Sequence, residues 1–166
     1  MKIATTICFV ALSGCCLPAA AATEQTAAEP SLESLVTCKE SWLDWKENPA
    51  RGEKFGASLH AGYTVQKDGG YLVPKAKTTL FGLTVTQVYP ESVGMGVGFS
   101  VAVAGNFEAS KKAVEKAVGK PLKCEADSDE VHACQAELGP KKTVMVASNS
   151  ADSKSILIGC YYFYEK

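Results

Sequence analysis

The stretch Val97-Gly98-Phe99-Ser100-Val101-Ala102-Val103-Ala104 decides the fold of this chain. Large apolar residues at its odd-numbered positions alternate with small residues at its even-numbered positions. Because successive side chains of a β-strand point to opposite faces, this alternation predicts a strand with one large apolar face and one small-residue face. We expect a helix to pack over the small-residue face.

Further strands are predicted on both sides of this stretch. Upstream, residues 63–66 and 71–73 flank Lys67-Asp68-Gly69-Gly70, and Asp-Gly and Gly-Gly between β-forming residues indicate a hairpin. Residues 78–89 are rich in Thr, Val, Leu and Phe, which predicts a strand. Downstream, short turns rich in Gly, Pro, Asn and Ser connect the remaining strands, predicted at 121–126, 131–138, 143–149 and 155–164. The last of these is apolar on both faces, which predicts either a central position in the sheet or a position between a helix and the sheet.

A first helix is predicted near the N-terminus of the folded region. Ser31 is a suitable N-cap, and apolar residues then recur at helical spacing. The helix should end near Asn48, because Pro49 disfavours helix at the residue before it. Residues 51–62 stay ambiguous, since three glycines weaken any helix there.

A second helix is predicted over residues 107–118, between Asn106 as N-cap and Gly119 as terminator. Strands joined by short loops favour an antiparallel sheet with its helices on one side. The predicted fold is therefore α+β: a single domain over residues 31–166, mainly antiparallel sheet, with an N-terminal helix and a mid-chain helix packed on one face and two disulfides.

The composition excludes several classes of protein. The chain has 166 residues, of which 46% are hydrophobic and 21% charged, which is an ordinary globular balance. Wholesale disorder and coiled coil are excluded on this ground. The net charge of −1 gives no basic excess, so we expect no nucleic-acid partner.

Residues 1–22 have the pattern of a secretory signal peptide. Lys2 precedes an apolar run that is too short to span a bilayer, and small residues then lead to a cleavage position after Ala22. Residues 23–30 are polar and Ala-rich, which is typical of a linker. We therefore expect an exported, periplasmic protein.

A lipid anchor is the alternative for this segment. Leu12-Ser13-Gly14-Cys15 resembles a bacterial lipobox, in which the cysteine becomes the lipidated first residue. Residues 19–30 would then tether the domain to the membrane through the lipid on Cys15 alone. This processing would leave Cys16 as an odd thiol, whereas cleavage after Ala22 leaves an even number of cysteines.

Four cysteines remain after either cleavage, and in an exported chain they predict a disulfide framework. The predicted hairpin over 121–138 places Cys124 nearly opposite Cys134, and directly opposed strand residues are close enough to be bridged. Cys38 then pairs with Cys160, tying the first helix to the last strand. A metal site is not expected, because no C-x-x-C pair is present and His132 and Cys134 lie two apart on a strand.

No set of residues predicts catalysis, so we expect neither an enzyme nor a cofactor. A phosphate loop needs a helix after its glycines, but a strand follows Gly94-Met95-Gly96-Val97-Gly98. The serine of a nucleophile elbow lies on a strand-to-helix turn, whereas Ser100 lies inside a predicted strand. A hydrolase that uses Ser100 with His132 is the least favoured of the functions considered.

A small disulfide-bonded domain in the cell envelope, without a catalytic set, favours a binding function. The first hypothesis is an inhibitor or immunity-type protein that blocks another envelope protein, whose identity the sequence does not give. The alternative is a carrier for a small molecule or lipid, which requires a pocket of about 300–1,000 Å³. Partner-binding residues are predicted in two loops and their flanks: Asp127, Asp129 and Glu130 in one, and Lys67, Asp68, Tyr63 and Tyr71 in the other.

Overall fold

One antiparallel sheet organises the described part of the chain. A computed structural model describes residues 30–66, 70–92, 97–124, 132–150 and 152–162, except for the side chains of Lys46 and Ser92. Over these residues there are nine strands and four helices. In chain order they are α1 (Leu32–Val36), α2 (Trp42–Glu47), α3 (Pro49–Gly62), β1 (Tyr63–Gln66), β2 (Tyr71–Pro74), β3 (Thr79–Leu80), β4 (Leu83–Ser92), β5 (Val97–Ala104), α4 (Phe107–Val118), β6 (Lys123–Cys124), β7 (His132–Gly139), β8 (Lys142–Ser148) and β9 (Ser155–Tyr162).

The strands lie in the order β1-β2-β4-β5-β9-β8-β7-β6, and β3 pairs with β4 outside this path. The last strand, β9, occupies the centre, which is one of the two positions that its apolar faces predict. It pairs with β5 over the whole length of both strands, from Val97 opposite Tyr162 to Ala104 opposite Ser155. The prediction of a mainly antiparallel sheet with two disulfides is confirmed.

The helices cover the large apolar face of β5, which we call the helical face. Phe99, Val101 and Val103 are fully buried there in one core with Leu35 of α1 and Val114 of α4. The expected helix over the small-residue face is therefore wrong. Burying the larger side chains removes more apolar surface from water, and this gain places the helices on the opposite side.

The single helix predicted from Ser31 to Asn48 is divided into α1 and α2. Cys38, between the two helices, has a φ of 56°, a left-handed conformation that a continuous right-handed helix does not contain. Ser41 begins α2 as its N-cap, accepting a hydrogen bond from the Asp44 backbone N–H. The division places Cys38 at a bend beside the central strand.

The ambiguous segment after Asn48 is helical. Pro49 lies in the first turn of α3, where its missing N–H costs nothing, and the Asn48 side chain caps the helix by accepting from the Arg51 N–H. Phe55 and Leu59 are buried against the core. Tertiary burial of these two side chains offsets the low helix propensity of the glycines.

The predicted strand over residues 78–89 is divided into β3 and β4. Phe81 and Gly82 both have positive φ values, 54° and 80°, and form a tight turn between the two strands. β3 folds back on β4, with Thr79 opposite Thr84.

Two disulfides cross-link the fold: one joins the bend after α1 to the central strand β9, and the other joins the paired strands β6 and β7. Cys38 is bonded to Cys160 with a Cα–Cα distance of 5.3 Å, and Cys124 is bonded to Cys134 with a Cα–Cα distance of 3.9 Å. This is the pairing that the spacing predicts. Disulfides are compatible with an extracellular or periplasmic location. Among the helices over the described residues, none is long and apolar enough to cross a bilayer.

Candidate functional site

A cavity of about 520 Å³ lies over the small-residue face of the sheet, and we call it the strand cavity. It extends across four adjacent strands, from β4 through β5 and β9 to β8. Its size is within the range of sites for small molecules. The described lining residues are Gly70, Tyr89, Glu91, Ser100, Ala102, Ala147, Ser148, Asn149, Ser155 and Leu157.

Small residues at the centre of the sheet form the region beneath this cavity. Gly159 of β9 lies directly opposite Ser100 of β5, and Gly98 lies opposite Tyr161. A Cβ on Gly98 would lie 2.2 Å from the Cys160 carbonyl oxygen, so even one methyl group is excluded there. β4 also has two register irregularities along its pairing with β5, and such bulges bend a strand.

Ser100 brings an unsatisfied polar group to the cavity. Its side chain is fully buried, and its Oγ has no hydrogen-bond partner among the residues that the structure describes. The Tyr161 hydroxyl, on the same face but outside the described lining of the cavity, is also buried and has no partner in the described part of the chain. Buried hydroxyls are nearly always hydrogen-bonded, and leaving one unpaired costs about 1–3 kcal/mol. Of the two, Ser100 lines the strand cavity, which makes this cavity a candidate ligand site.

The β4 side of the cavity is aromatic. Tyr89 lies opposite Ser100, and its ring packs against Tyr71 with the ring centroids 5.7 Å apart. Its hydroxyl lies within hydrogen-bond distance of Gln87 Oε1. Burial, and secondarily the neighbouring Tyr71 phenol, raise the pKa of Tyr89 above 10.0, so its hydroxyl is protonated at neutral pH and donates.

The opposite side of the cavity is polar. Asn149 and Ser155 are exposed there at the ends of β8 and β9. Ser148 is buried, and its hydroxyl donates to the Ser150 carbonyl at 2.9 Å. Between the two sides, Ala102, Ala147 and Leu157 form an apolar strip. The cavity therefore combines an aromatic wall, an apolar floor and a polar wall.

A second cavity, of about 370 Å³, lies between the helices and the sheet edge. Trp42, Phe55, Leu59 and Leu72 make it apolar, and each of them also belongs to the core. No side chain in its described lining is among the buried polar groups that lack a hydrogen-bond partner. The strand cavity does contain such a group, Ser100, and is therefore the better candidate of the two.

Most of the predicted partner-binding residues, and the lipidation residue, lie outside the described residues. These are Asp127, Asp129, Glu130, Lys67 and Asp68, together with Cys15.

Tyr63 and Tyr71 are described, and they do not form one surface. Tyr63 lies opposite Pro74 at the end of the hairpin away from the turn and packs on the core, where burial raises its pKa. Tyr71 lies beside the turn, opposite Gln66, and contacts Tyr89. Of the two, Tyr71 is the one associated with the strand cavity.

Ser100 and His132 lie on opposite faces of the sheet. The His132 ring is 6.2 Å from the Phe107 ring of α4, on the helical face, whereas Ser100 lies on the small-residue face. Side chains on opposite faces of a sheet do not exchange a proton directly, so this pair does not form a nucleophile and base. Within the described ranges there is no group of three His, Cys, Asp or Glu side chains that could hold a metal.

The sequence drew attention to Ser100 only as a disfavoured nucleophile, and it gave no reason to select Tyr89, Asn149 or Leu157. The alternation of large and small residues in β5 was the available signal. A cavity made by four strands depends on which strands are neighbours, and the order of strands is not encoded in local spacing.

Comparison with protein-family models, curated proteins and solved structures finds no match for this chain.

Proposed function

We propose that this chain is an exported binding protein that holds a small molecule in the strand cavity. The observation that carries the proposal is the fully buried Ser100 Oγ, which has no hydrogen-bond partner among the described residues and lies at the floor of a cavity of about 520 Å³. Native folds seldom leave such a group unpaired, and a bound ligand with hydrogen-bonding groups would satisfy it. The signal-peptide pattern and the two disulfides support export to the periplasm.

The rigidity of the cavity floor also supports this function. β5 and β9 are the two most extensively paired central strands, and Cys160 of β9 is covalently bonded to Cys38. A site built on rigid strands loses little entropy when a ligand binds. The inhibitor or immunity-type hypothesis stays a prediction, because most of the residues it depends on lie outside the described chain.

Filling the cavity tests the proposal. Ala102 is buried at the cavity floor, so Ala102→Leu adds volume inside the site, whereas Ala76→Leu adds the same volume at an exposed position. Native mass spectrometry of protein isolated from its own cell envelope should show a bound small molecule in the original chain and in Ala76→Leu. The bound molecule should be lost in Ala102→Leu.

Two outcomes would contradict the proposal. One is protein isolated without any bound molecule that also takes up none from a low-molecular-weight envelope extract. The other is a molecule that Ala102→Leu retains as fully as the original chain. Circular dichroism and the melting temperature of both variants check that loss of the ligand does not come from loss of the fold.

A further inference from the structure

We infer that the β1 edge of the sheet binds the β1 edge of a second copy of this chain, so that two sheets join in an antiparallel dimer. The β1 edge is the outer side of Tyr63–Gln66, where no described strand pairs with β1. This surface is separate from the strand cavity, whose described lining contains no residue of β1. Dimer formation and ligand binding can therefore be tested independently.

The two ends of the sheet differ in how their backbone is protected. At the far end, β6 has only two residues, and the Lys120 ammonium donates to the Glu137 carbonyl of β7 at 3.1 Å. Short edge strands and edge lysines are devices by which proteins prevent the addition of another strand. In contrast, β1 has four residues without charge or proline, and its pairing with β2 has no irregularity. Of the two ends, β1 is the one suited to accept a strand.

The pairing with β2 determines which backbone groups of β1 face outward. The Lys75 N–H donates to the Gly62 carbonyl at 3.0 Å, so this opposed pair, just before β1, is hydrogen-bonded. Along two antiparallel strands, hydrogen-bonded pairs alternate with pairs that are not. Thr64 and Gln66 therefore direct their N–H and C=O groups toward β2, whereas Val65 directs both of its groups away from it. Val65 offers one donor and one acceptor to an added strand.

The Val65 side chain leaves apolar surface in water at the same position. Among the described residues it is the one large apolar side chain that is exposed, with 48% of its surface accessible. It lies opposite Leu72 of β2, which lies opposite Val88 of β4, and both of these side chains are buried in the core. A row of core side chains thus reaches the edge of the sheet and ends at a half-exposed valine. A second apolar side chain beside Val65 would remove this surface from water.

A second copy of β1 fits this edge because the strand is complementary to itself. When two copies pair antiparallel about a two-fold axis at Val65, this valine lies opposite Val65 of the second copy, and Thr64 lies opposite Gln66 of the second copy. The two valines exchange both backbone hydrogen bonds, and their side chains cover each other. Since β1 is uncharged, the pairing brings no like charges of this strand together. The row of Val88, Leu72 and Val65 then continues into the same row of the second copy.

Four paired residues on each side form a small interface, so the dimer should be weak. Standard interfaces contain about 20–30 residues on each side. We expect a dissociation constant between about 10 µM and 1 mM. Sedimentation velocity of the purified chain, with both disulfides intact, should show conversion from monomer to dimer over this range of concentration. Hydrogen exchange of the Val65 amide should slow over the same range, because its outward N–H becomes hydrogen-bonded.

A charge exchange at Val65 tests the two-fold arrangement. Val65→Lys and Val65→Glu each place like charges opposite each other across the axis, and each variant alone should dimerise at least about tenfold more weakly. An equal mixture of the two variants opposes lysine with glutamate and should restore the dimer. Thr84→Lys is the matched control: Thr84 is also an exposed, β-branched strand residue, but it is paired on both sides, with Thr79 and with Ala104. It should leave the dissociation constant unchanged.

Three outcomes would overturn the inference. One is a chain that stays monomeric up to about 1 mM, which would leave this edge to solvent or to an extended segment of a different protein. Another is a dimer in which hydrogen exchange at Val65 is as fast as in the monomer, or which neither Val65 variant weakens, because its interface would then lie elsewhere. The third is a mixture of Val65→Lys and Val65→Glu that dimerises no better than either variant alone. Circular dichroism checks that both variants keep the fold.

Discussion

Ser100 and Gly159 lie directly opposite each other on β5 and β9, so close that a Cβ on Gly159 would lie 2.7 Å from the Ser100 Cβ. The same Cβ would lie 2.9 Å from Cε2 of Tyr161 and 3.0 Å from the Phe99 carbonyl oxygen. The absence of a side chain at this one position allows Ser100 and the Tyr161 ring to pack close to the backbone of β9. The packing at the centre of the small-residue face therefore depends on Gly159.

Gly159→Ala is expected to destabilise the fold. Its methyl group would meet the Phe99 backbone and two side chains held by the sheet, and overpacking of this kind typically costs about 1–3 kcal/mol. Gly56→Ala is the control, because a Cβ there has no atom within 4 Å and alanine favours helix over glycine, so α3 should gain about 0.5–1 kcal/mol. Urea unfolding of the two variants gives both values. Equal stability for Gly159→Ala and the original chain would show that the strands around position 159 can shift to accommodate a methyl group.

Ser100→Ala should raise the free energy of unfolding by about 1–3 kcal/mol, because it removes a buried hydroxyl that has no hydrogen-bond partner among the described residues and that destabilises the fold while it is unpaired. Ser148→Ala is the comparison. Ser148 is buried in the same sheet, and its hydroxyl satisfies the Ser150 carbonyl, so its loss should cost about 1 kcal/mol. Thermal unfolding without ligand measures the change in stability for each of the two variants. A larger loss from Ser100→Ala than from Ser148→Ala would mean that the Ser100 hydroxyl has a structural partner after all.

The fold could be predicted as far as local patterns determine it. The alternation in β5 and the Asp-Gly and Gly-Gly turn are local signals, and the corresponding strand and hairpin form where they predict. The division of the first helix at Cys38 could not be predicted in this way. The left-handed conformation of Cys38 accompanies a bond to Cys160, which is 122 residues away, and no local propensity reports such a contact.

The candidate site was less predictable than the fold. Tyr89 and Ser100 come from the consecutive strands β4 and β5, but Leu157 comes from β9, which lies beside β5 only in the folded sheet. The sequence shows that Ser100 is on the small-residue face, but whether a helix or a cavity covers that face depends on where the larger side chains of the sheet are buried. The packing of the whole core therefore determines whether a helix covers the small-residue face.

The two disulfides should differ in their contribution to stability. In the chain-entropy model, the Cys38–Cys160 bond, with a sequence separation of 122, contributes about 5 kcal/mol. The Cys124–Cys134 bond, with a separation of 10, contributes about 3 kcal/mol. We expect the Cys38→Ala/Cys160→Ala variant to lose about 2 kcal/mol more than Cys124→Ala/Cys134→Ala, measured by urea unfolding. Equal losses would show that α1 stays in place through its apolar contacts alone.

Glu115 forms a hydrogen bond with the segment that follows α4, and this bond should make the stability of the fold depend on pH. Its Oε1 accepts a hydrogen bond from the Leu122 backbone N–H at 2.9 Å and lies 3.1 Å from Lys111 Nζ. The Leu122 bond and, next, the Lys111 ammonium favour the charged form and hold the pKa of the Glu115 carboxyl below its ordinary value of 4.5.

A carboxyl with a lowered pKa in the folded state stabilises that state when it is ionised. The contribution is fully present above the ordinary pKa near 4.5 and is lost as the pH falls through the lower, folded-state value. We therefore expect Glu115→Gln to melt at a lower temperature than the original chain at pH 7, with the difference shrinking as the pH falls toward 3. Glu53→Gln, at an exposed position of α3, is the control for removing one negative charge. A melting-temperature difference for Glu115→Gln that stays constant from pH 7 to pH 3 would show that the ionised charge is not the source of the stabilisation. No difference at any pH would show that an uncharged acceptor holds Leu122 equally well.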